Sequence, residues 1–383
     1  MKRETTSVEI NGHTITFETG KIARQAGGAI IVRCGDTMAM ATACRSPEPL
    51  ADVDFLPLRV DYQEKFASTG KTVSGFIKRE GKPTQNEILV SRLIDRPIRP
   101  MFVDGYYHDV QLFASVLSYD SVHNPDVLSI CASSAALCIS DIPLIKPIGA
   151  VRVGVIDGKF VVNPTVDEQK RSRLDLVMAG TENAVLMIEG SADFLTEEET
   201  LQAIEIGHHA IQKICKALHD LQNKVGKPKK TDTIKQIDPA IIDAIHRLGG
   251  QKFPEALRIR EKTKHEQAVS EIKKEILETL SGETASPRYD AADVKKALKQ
   301  YSSDVMRKMI LDEGIRCDGR NLTTIRPIDI EQALLPRTHG SSLFTRGETQ
   351  SLAICVLGPE SMSQRYEDLN VEKTPREVVI RER

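Results

Sequence analysis

Seven cations crowd into residues 71–100: Lys71, Lys78, Arg79, Lys82, Arg92, Arg96 and Arg99, against three acids, Glu80, Glu87 and Asp95. That stretch carries +4 in a chain whose formal net charge is −2, which leaves −6 for the remainder. Charge focused in this way suits a polyanion held at one place rather than over a whole surface. Phe76 stands inside the same stretch. Cations neutralise phosphates, and an aromatic ring offers a base a stacking platform worth roughly 1–3 kcal/mol. Single-stranded nucleic acid is therefore one reading. The other is a solvated helix whose arginines pair with Asp95 and neighbouring acids, and charge alone leaves both open.

Other chemistry has thin support. Gly70, Lys71 and Thr72 resemble the end of a phosphate-binding P-loop, but Lys65 occupies the position where that motif needs its first glycine. His208 and His209 lack the carboxylate-and-histidine spacing of a helical zinc site. Ser133, Ser134, Ser341 and Ser342 have no histidine and aspartate that sequence assigns to them. No carboxylate pair marks a metal site, so the expected metal ligands in this chain are none.

Period and punctuation give the elements that must hold these residues. Residues 8–17 alternate around Asn11 and Gly12, a pair that accepts the positive φ of a type I′ hairpin turn. Apolar runs at 29–32 and 38–43 predict two paired strands, and 54–61 predicts another. Thr84 and Glu87 form a capping box. The helix they open should end near Asp95, because Pro97 disfavours helix at Arg96. On it Arg92 and Arg96, four apart, share a face. Residues 129–140 are small and apolar on nearly all sides, as in a helix buried on both flanks. Residues 150–162 alternate around Asp157 and Gly158, and 174–179 should pair with 185–189. Thr196 and Glu199 cap a helix that puts Leu201, Ile204, His208, Ile211, Cys215 and Leu218 on one stripe. The order is strands, helix, strands, helix, which predicts an α+β domain over residues 1–230. Lys227, Pro228, Lys229 and Lys230 read as a linker. Residues 238–312 lack strand signals, and an all-helical domain is predicted over 231–312, with helices at 239–248, 271–280 and one capped by Asp290.

After Gly314 the strand chemistry resumes and repeats the beginning. Shifted by 312 residues, positions 28–48 fall on 340–360 with six identities in 21 and no gap, including Gly28 on Gly340, Gly35 on Gly347 and Thr37 on Thr349. We read this as a duplication separated by a helical insert. The second copy, 313–383, has about 70 residues against some 220 in the first, and 11 of its last 25 are charged. Those last 25 residues offer no apolar run able to complete a sheet. The expectation is a truncated start of a second core.

Length and composition agree with such a plan. At about 150 residues per domain, 383 residues predict two or three domains. A chain 40% hydrophobic and 28% charged is not disordered, collagenous or a disulfide miniature. Cys34, Cys44, Cys131, Cys138, Cys215, Cys317 and Cys355 are scattered without a Cys-x-x-Cys, and read as reduced, buried, inert thiols. The first residues lack a signal-peptide core, and no window approaches the roughly 18 apolar residues of a membrane span. A cytoplasmic protein with no membrane partner is expected.

At the cationic stretch the sequence becomes recognisable. Phe76, Ile77, Lys78, Arg79, Glu80, Gly81, Lys82 and Pro83 run into Glu87, Ile88, Leu89, Val90, Ser91, Arg92, Leu93, Ile94, Asp95, Arg96, Pro97, Ile98, Arg99 and Pro100. This strongly resembles the bacterial polynucleotide phosphorylase family. So do residues 124–128, 148–154, 315–320 and 337–350, and the likeness spans about residues 5–370 in the family's order. The resemblance implies two ribonuclease PH-type domains (βαβα, ribosomal-protein-S5-domain-2-like) joined by an all-α domain. It implies a homotrimeric ring with single-stranded RNA threaded through it, and a place in an RNA-degrading assembly. It implies mRNA degradation and RNA processing by 3′-to-5′ phosphorolysis, in which inorganic phosphate releases nucleoside diphosphates with Mg²⁺ assisting.

Carried over residue by residue, the resemblance makes Phe76, Lys78, Arg79, Lys82, Arg92, Arg96 and Arg99 the RNA-binding set. The family prefers two aromatics and two arginines in that loop, whereas this chain has Phe76 then Ile77 and Lys78 then Arg79. One stacking ring is lost, and Lys78 lacks the bidentate grip of arginine, which implies a weaker clamp. The family's phosphate-holding serines, paired arginines and metal-binding aspartates belong to the later part of the second core. Here Asp368, Leu369 and Asn370 are followed by Val371, Glu372, Lys373, Thr374 and Pro375, which is not the family's continuation. The KH and OB-fold modules of the family are also missing. Asn124, Pro125 and Asp126 stand where the first core would need a serine run. Arg320 and Arg346 are the only catalytic candidates that remain, and the other catalytic residues are unknown. The resemblance thus implies the N-terminal portion of a phosphorolytic exoribonuclease without most of its catalytic core. The alternatives are a non-catalytic RNA-binding or ring-forming fragment, or an inactive subunit of an exosome-like ring.

Overall fold

The computed structural model describes residues 3–50, 53–73, 79–282, 289–362, 364–366, 369 and 374–376. Its contacts divide the chain into two compact units, residues 1–235 with 367–372 and residues 236–366 with 373–383.

The first unit is α+β. Strands β1 (Glu4–Ile10) and β2 (His13–Thr19) form the hairpin expected around Asn11 and Gly12, whose φ values are 51° and 78°. Strands β3 (Gly28–Cys34) and β4 (Thr37–Pro49) pair as expected. Strand β5 (Leu58–Glu64) starts four residues later than the 54–61 expectation, because Pro57 has no N–H to give the ladder and contributes only its carbonyl, to the Val110 N–H. Helix α1 (Gln85–Ile98) opens on the Thr84–Glu87 capping box but runs through Pro97 instead of stopping near Asp95. Pro97 and Ile98 are buried, and the Arg99 N–H bonds the Asp95 carbonyl, so one missing ladder bond in the last turn is outweighed. With β6 (His108–Ser118) these strands form a sheet in the order β1-β2-β3-β4-β6-β5, in which β5 and β6 are parallel.

Helix α2 (Pro125–Ile139) is buried at every residue from Val127 to Ile139, and it packs on β3, β4 and β7. Strands β7 (Gly149–Ile156) and β8 (Lys159–Val162), the short helix α3 (Val166–Gln169), and strands β9 (Leu174–Gly180) and β10 (Val185–Ala192) follow, giving a second sheet in the order β10-β9-β7-β8. Helix α4 (Glu197–Val225) keeps its expected cap but not its expected stripe. Leu201 is 64% exposed, while Ala203, Gly207, Ala210 and Ile214 join Ile211, Cys215 and Leu218 inside. Small residues let the helix come close: a Cβ on Gly207 would stand 2.6 Å from the Met178 sulfur. All seven cysteines are free, but Cys44 and Cys355 are exposed rather than buried, and Cys317 is partly so.

The segment read as a linker is docked. Lys227 donates its backbone N–H to the Ile139 carbonyl, and Lys230 does the same to Asp141. Between them the Lys229 Nζ reaches the carbonyl oxygens of Leu137, Cys138 and Ser140 at 2.8, 2.9 and 2.8 Å. These carbonyls lie at the C-terminus of α2, where the helix leaves its last acceptors short of partners and its dipole favours a cation.

In the second unit, α5 (Pro239–Gly249), α6 (Lys252–Leu257), α7 (Lys262–Ser281) and α8 (Ala291–Glu313) share a core. Helix α8 buries Val294, Ala297, Leu298, Tyr301 and Met309, as its spacing predicts. Strands β11 (Ile328–Gln332), β12 (Gly340–Arg346) and β13 (Thr349–Cys355) then form a sheet in that order. The 312-residue shift carries β3 onto β12 end for end. It also carries the β3–β4 register onto the β12–β13 register: Gly28 opposite Ala43 becomes Gly340 opposite Cys355, and Cys34 opposite Thr37 becomes Arg346 opposite Thr349. Strand β11 is one residue out of that frame. Arg346 faces Ile328, whereas Cys34 faces Ile15. Strands β14 (Gln364–Tyr366) and β15 (Thr374–Arg376) pair separately, so the charged tail does hold a small sheet of its own.

Candidate nucleic-acid interface

Of the described cations in residues 71–100, Arg79 and Lys82 precede α1, Arg92 lies in its middle, and Arg96 and Arg99 stand at its C-terminal end. Glu87 does more than cap. Its Oε2 accepts the Thr84 N–H at 2.6 Å, while Oε1 accepts the Glu64 N–H at 2.8 Å, pinning the helix to the end of β5. Ser91 donates to the Glu87 carbonyl and accepts from the Tyr62 N–H. On the other side of the loop, Glu80 accepts the Phe66 N–H at 2.9 Å and pairs with Lys65 at 2.8 Å. Partial desolvation would raise its carboxyl, but Lys65 and the Phe66 N–H hold it below the usual range. The loop that carries Arg79 and Lys82 is therefore tied down at Glu80 and at Thr84.

A cleft of about 330 Å³ opens beside it, lined by Tyr62, Gln63, Pro83, Ser91, Arg92 and Asp95 among others. Arg79, Lys82 and Arg92 are exposed and have no hydrogen bond or ion pair among the described residues. Pro83 and Arg92 both line the cleft, which brings the end of the loop and the helix together there. Ile88 and Leu89, 51% and 56% exposed, add apolar surface on the same helix.

The remaining cations are differently employed. Arg96 is paired with Glu189 on β10. Arg99 forks onto Asp95 and also donates to the carbonyls of Leu56 and Leu58, which fastens α1 to the approach of β5. Phe76 and Lys78 lie outside the described residues. Arg320 spends its guanidinium on Asp318 and the Thr324 carbonyl, closing the turn after α8, while Arg346 is exposed at the end of β12.

Sequence reasoning passed over two buried charge clusters. Tyr62 donates to Glu64, whose carboxyl is pushed up to about 7 by burial, with the Glu87 and Asp126 charges adding to the rise. Arg152 lies 8% exposed inside the apolar run of β7 and is paired with both Asp126 and Asp175, while its Nε has no partner among the described residues. One charge within eight otherwise uncharged strand residues was the available signal. Among the described residues no group of three or more His, Cys, Asp or Glu side chains could hold a metal. The Mg²⁺ that the resemblance implies needs clustered oxygen ligands, and it finds no fitting set here. No described helix is long and apolar enough to cross a membrane.

Three family models match the chain: 3′ exoribonuclease family, domain 1, over residues 11–143; domain 2 of the same family over 146–210; and the polyribonucleotide nucleotidyltransferase RNA binding domain over 240–321. The chain is 58% identical over 372 residues to the polyribonucleotide nucleotidyltransferase of Protochlamydia amoebophila, covering 97% of this chain and 53% of that one. With the enzyme of the same name from Chlamydia pneumoniae it shares 54% over 374 residues, covering 97% and 54%. It thus spans about half the length of the curated relatives it matches. Among solved structures it is similar to rice (Oryza sativa) Rrp46 at 16% identity and a TM-score of 0.45, over 56% of this chain and 96% of that one; nothing further rests on that likeness.

Proposed function

Because this chain belongs to the 3′ exoribonuclease family, among its polyribonucleotide nucleotidyltransferases, we propose that it serves the phosphorolytic 3′-to-5′ degradation of RNA. In that reaction an oxygen of inorganic phosphate attacks the phosphorus of the terminal nucleotide. The bond to the preceding 3′ oxygen breaks, and a nucleoside diphosphate leaves. Preorganised positive charge favours the charge that crowds at phosphorus. The share we assign to this chain is to grip single-stranded RNA.

The observation that carries this reading is that Arg79 and Lys82 in the loop before α1 and Arg92 on α1 are exposed and unpaired among the described residues, with Arg92 lining the cleft, beside arginines that are already paired. Unpaired, exposed guanidinium and ammonium groups are what phosphates need. Phe76 and Lys78 belong to the same proposed grip. The setting is a homotrimeric ring in the cytoplasm, part of an RNA-degrading assembly in mRNA turnover. In this reading residues 1–230 form the first ribonuclease PH-type core, 231–312 the all-helical domain and 313–383 the start of a second core. No step runs through Mg²⁺, for which the described residues offer no ligand set.

A second reading, a non-catalytic RNA-binding or ring-forming piece, is favoured by Arg320, a catalytic candidate whose guanidinium is consumed by its own turn. One experiment separates them. The purified chain is incubated with poly(A) and inorganic phosphate, and nucleoside diphosphate is measured. Phosphate-dependent release supports phosphorolysis by this chain. No release with RNA still bound supports the second reading, and no binding at all defeats the first and leaves only the ring-forming form of the second.

A further inference from the structure

His13 follows the β1–β2 turn, and His123 lies in the loop between β6 and α2. The Oδ2 of Asp120 accepts from the Nδ1 of His123 at 2.7 Å. The two carboxylate oxygens of Asp120 also take the backbone N–H groups of Asp36, Val122 and His123 and the hydroxyl of Thr37. A carboxylate surrounded by that many donors is ionised and holds the Nδ1–H of His123, so in the neutral ring it is Nε2 that presents a lone pair.

That lone pair faces Nδ1 of His13 across 3.4 Å. The gap is long for a hydrogen bond from an N–H donor, which closes to about 2.7–3.2 Å. It matches another geometry: two nitrogens each about 2.0–2.1 Å from one tetrahedral zinc stand about 3.3–3.4 Å apart. The rings meet edge to face with centroids 5.0 Å apart. A carboxylate holding the far N–H of an imidazole is the support that a metal-bound histidine ordinarily has. Both histidines are partly exposed, so an ion can reach them.

We propose that His13 and His123 form a two-imidazole site for a borderline divalent cation, with Zn²⁺ as its type, the remaining positions being filled by water. Imidazole nitrogen selects such ions over hard Mg²⁺, so this site is separate from the ion that phosphorolysis uses. Its effect is a clip between the β1–β2 turn and the loop that leads into α2.

The test uses the full chain, stripped with a chelator and titrated with Zn²⁺ at micromolar concentrations. One tightly bound equivalent is expected, undisplaced by millimolar Mg²⁺. His13→Gln and His123→Gln should each weaken that uptake at least about tenfold, while His209→Gln leaves it unchanged. Co²⁺ should give the visible absorption of a four-coordinate ion in the wild type and lose it in both site variants. The two variants change different segments, so failure of one to fold leaves the other decisive. A wild type that takes up no Zn²⁺, or a folded His13→Gln or His123→Gln chain that binds it equally well, overturns the proposal.

Discussion

The phenol of Tyr62 donates a 2.8 Å hydrogen bond to Oε1 of Glu64, two residues on along β5 and so on the same face of the strand. Burial pushes the Glu64 carboxyl from an ordinary 4.5 up to about 7. Between those values the folded chain holds a proton here that the unfolded chain has lost. The site's contribution to stability is therefore greatest at low pH and falls as pH rises through that window. Glu64→Gln keeps an acceptor for Tyr62 and removes the charge. Above pH 7 it should raise stability by on the order of 1 kcal/mol, a figure held low because the group is partly solvated. Below pH 4.5 the difference should vanish. Urea unfolding of both proteins from pH 4 to 8 checks this, and a pH-independent difference would refute it.

Arg79→Ala and Arg92→Ala should each weaken binding of a labelled oligo(A) and lower the slope of log K against log salt by about 0.7, one counterion released fewer on a single strand. Arg99→Ala should act otherwise, costing about 1–2 kcal/mol of stability through the lost Asp95 fork and two carbonyl bonds, with little change in slope. Fluorescence anisotropy across a salt series, with thermal melts alongside, separates the two effects. An unchanged slope in Arg92→Ala would make the patch a solvated surface.

Lys229→Met should cost about 2–3 kcal/mol, because it strips a charged donor from three carbonyls at the end of a buried helix. Exposed Lys230, which bonds only through its backbone N–H, should tolerate the same change within about 0.5 kcal/mol. Equal losses would mean that charge in this segment, not the cap, is what matters.

Local signals were read well from sequence. Asn11 with Gly12, Asp157 with Gly158 and the capping boxes at Thr84 and Thr196 each act within a few residues, so spacing alone reveals them. The internal repeat was legible because pairing register is itself a matter of counting. Partners distant in sequence were not. Arg96 meets Glu189 from 93 positions away, and Arg99 meets carbonyls, which have no sequence signature. Spacing thus found the cations of α1 but could not sort open from occupied. The buried face of α4 was displaced for another reason: a stripe scored on large apolar residues overlooks Ala203 and Gly207, which pack because they are small.

The two copies make different demands on one residue. A Cβ on Gly28 would stand 2.0 Å from the Ala136 carbonyl oxygen of α2, whereas one on Gly340 would meet only the Cys355 Cβ, at 3.3 Å. Gly28→Ala should therefore cost about 2–3 kcal/mol by overpacking, and Gly340→Ala less than about 1 kcal/mol. Chemical denaturation of the two variants measures the contrast, and similar losses would show that β12 is as tightly covered as β3.

A shared register has a consequence for how the chain folds. To its backbone, β3 cannot tell β4 from β13, and a polypeptide that carries the same hairpin twice is open to strand exchange during folding. Side chains must make the choice. The equivalent of fully buried Ala39 is Ser351, so β13 laid against β3 would carry a hydroxyl into the core, at about 1–3 kcal/mol if it found no partner. One oxygen atom thus helps keep each hairpin with its own copy.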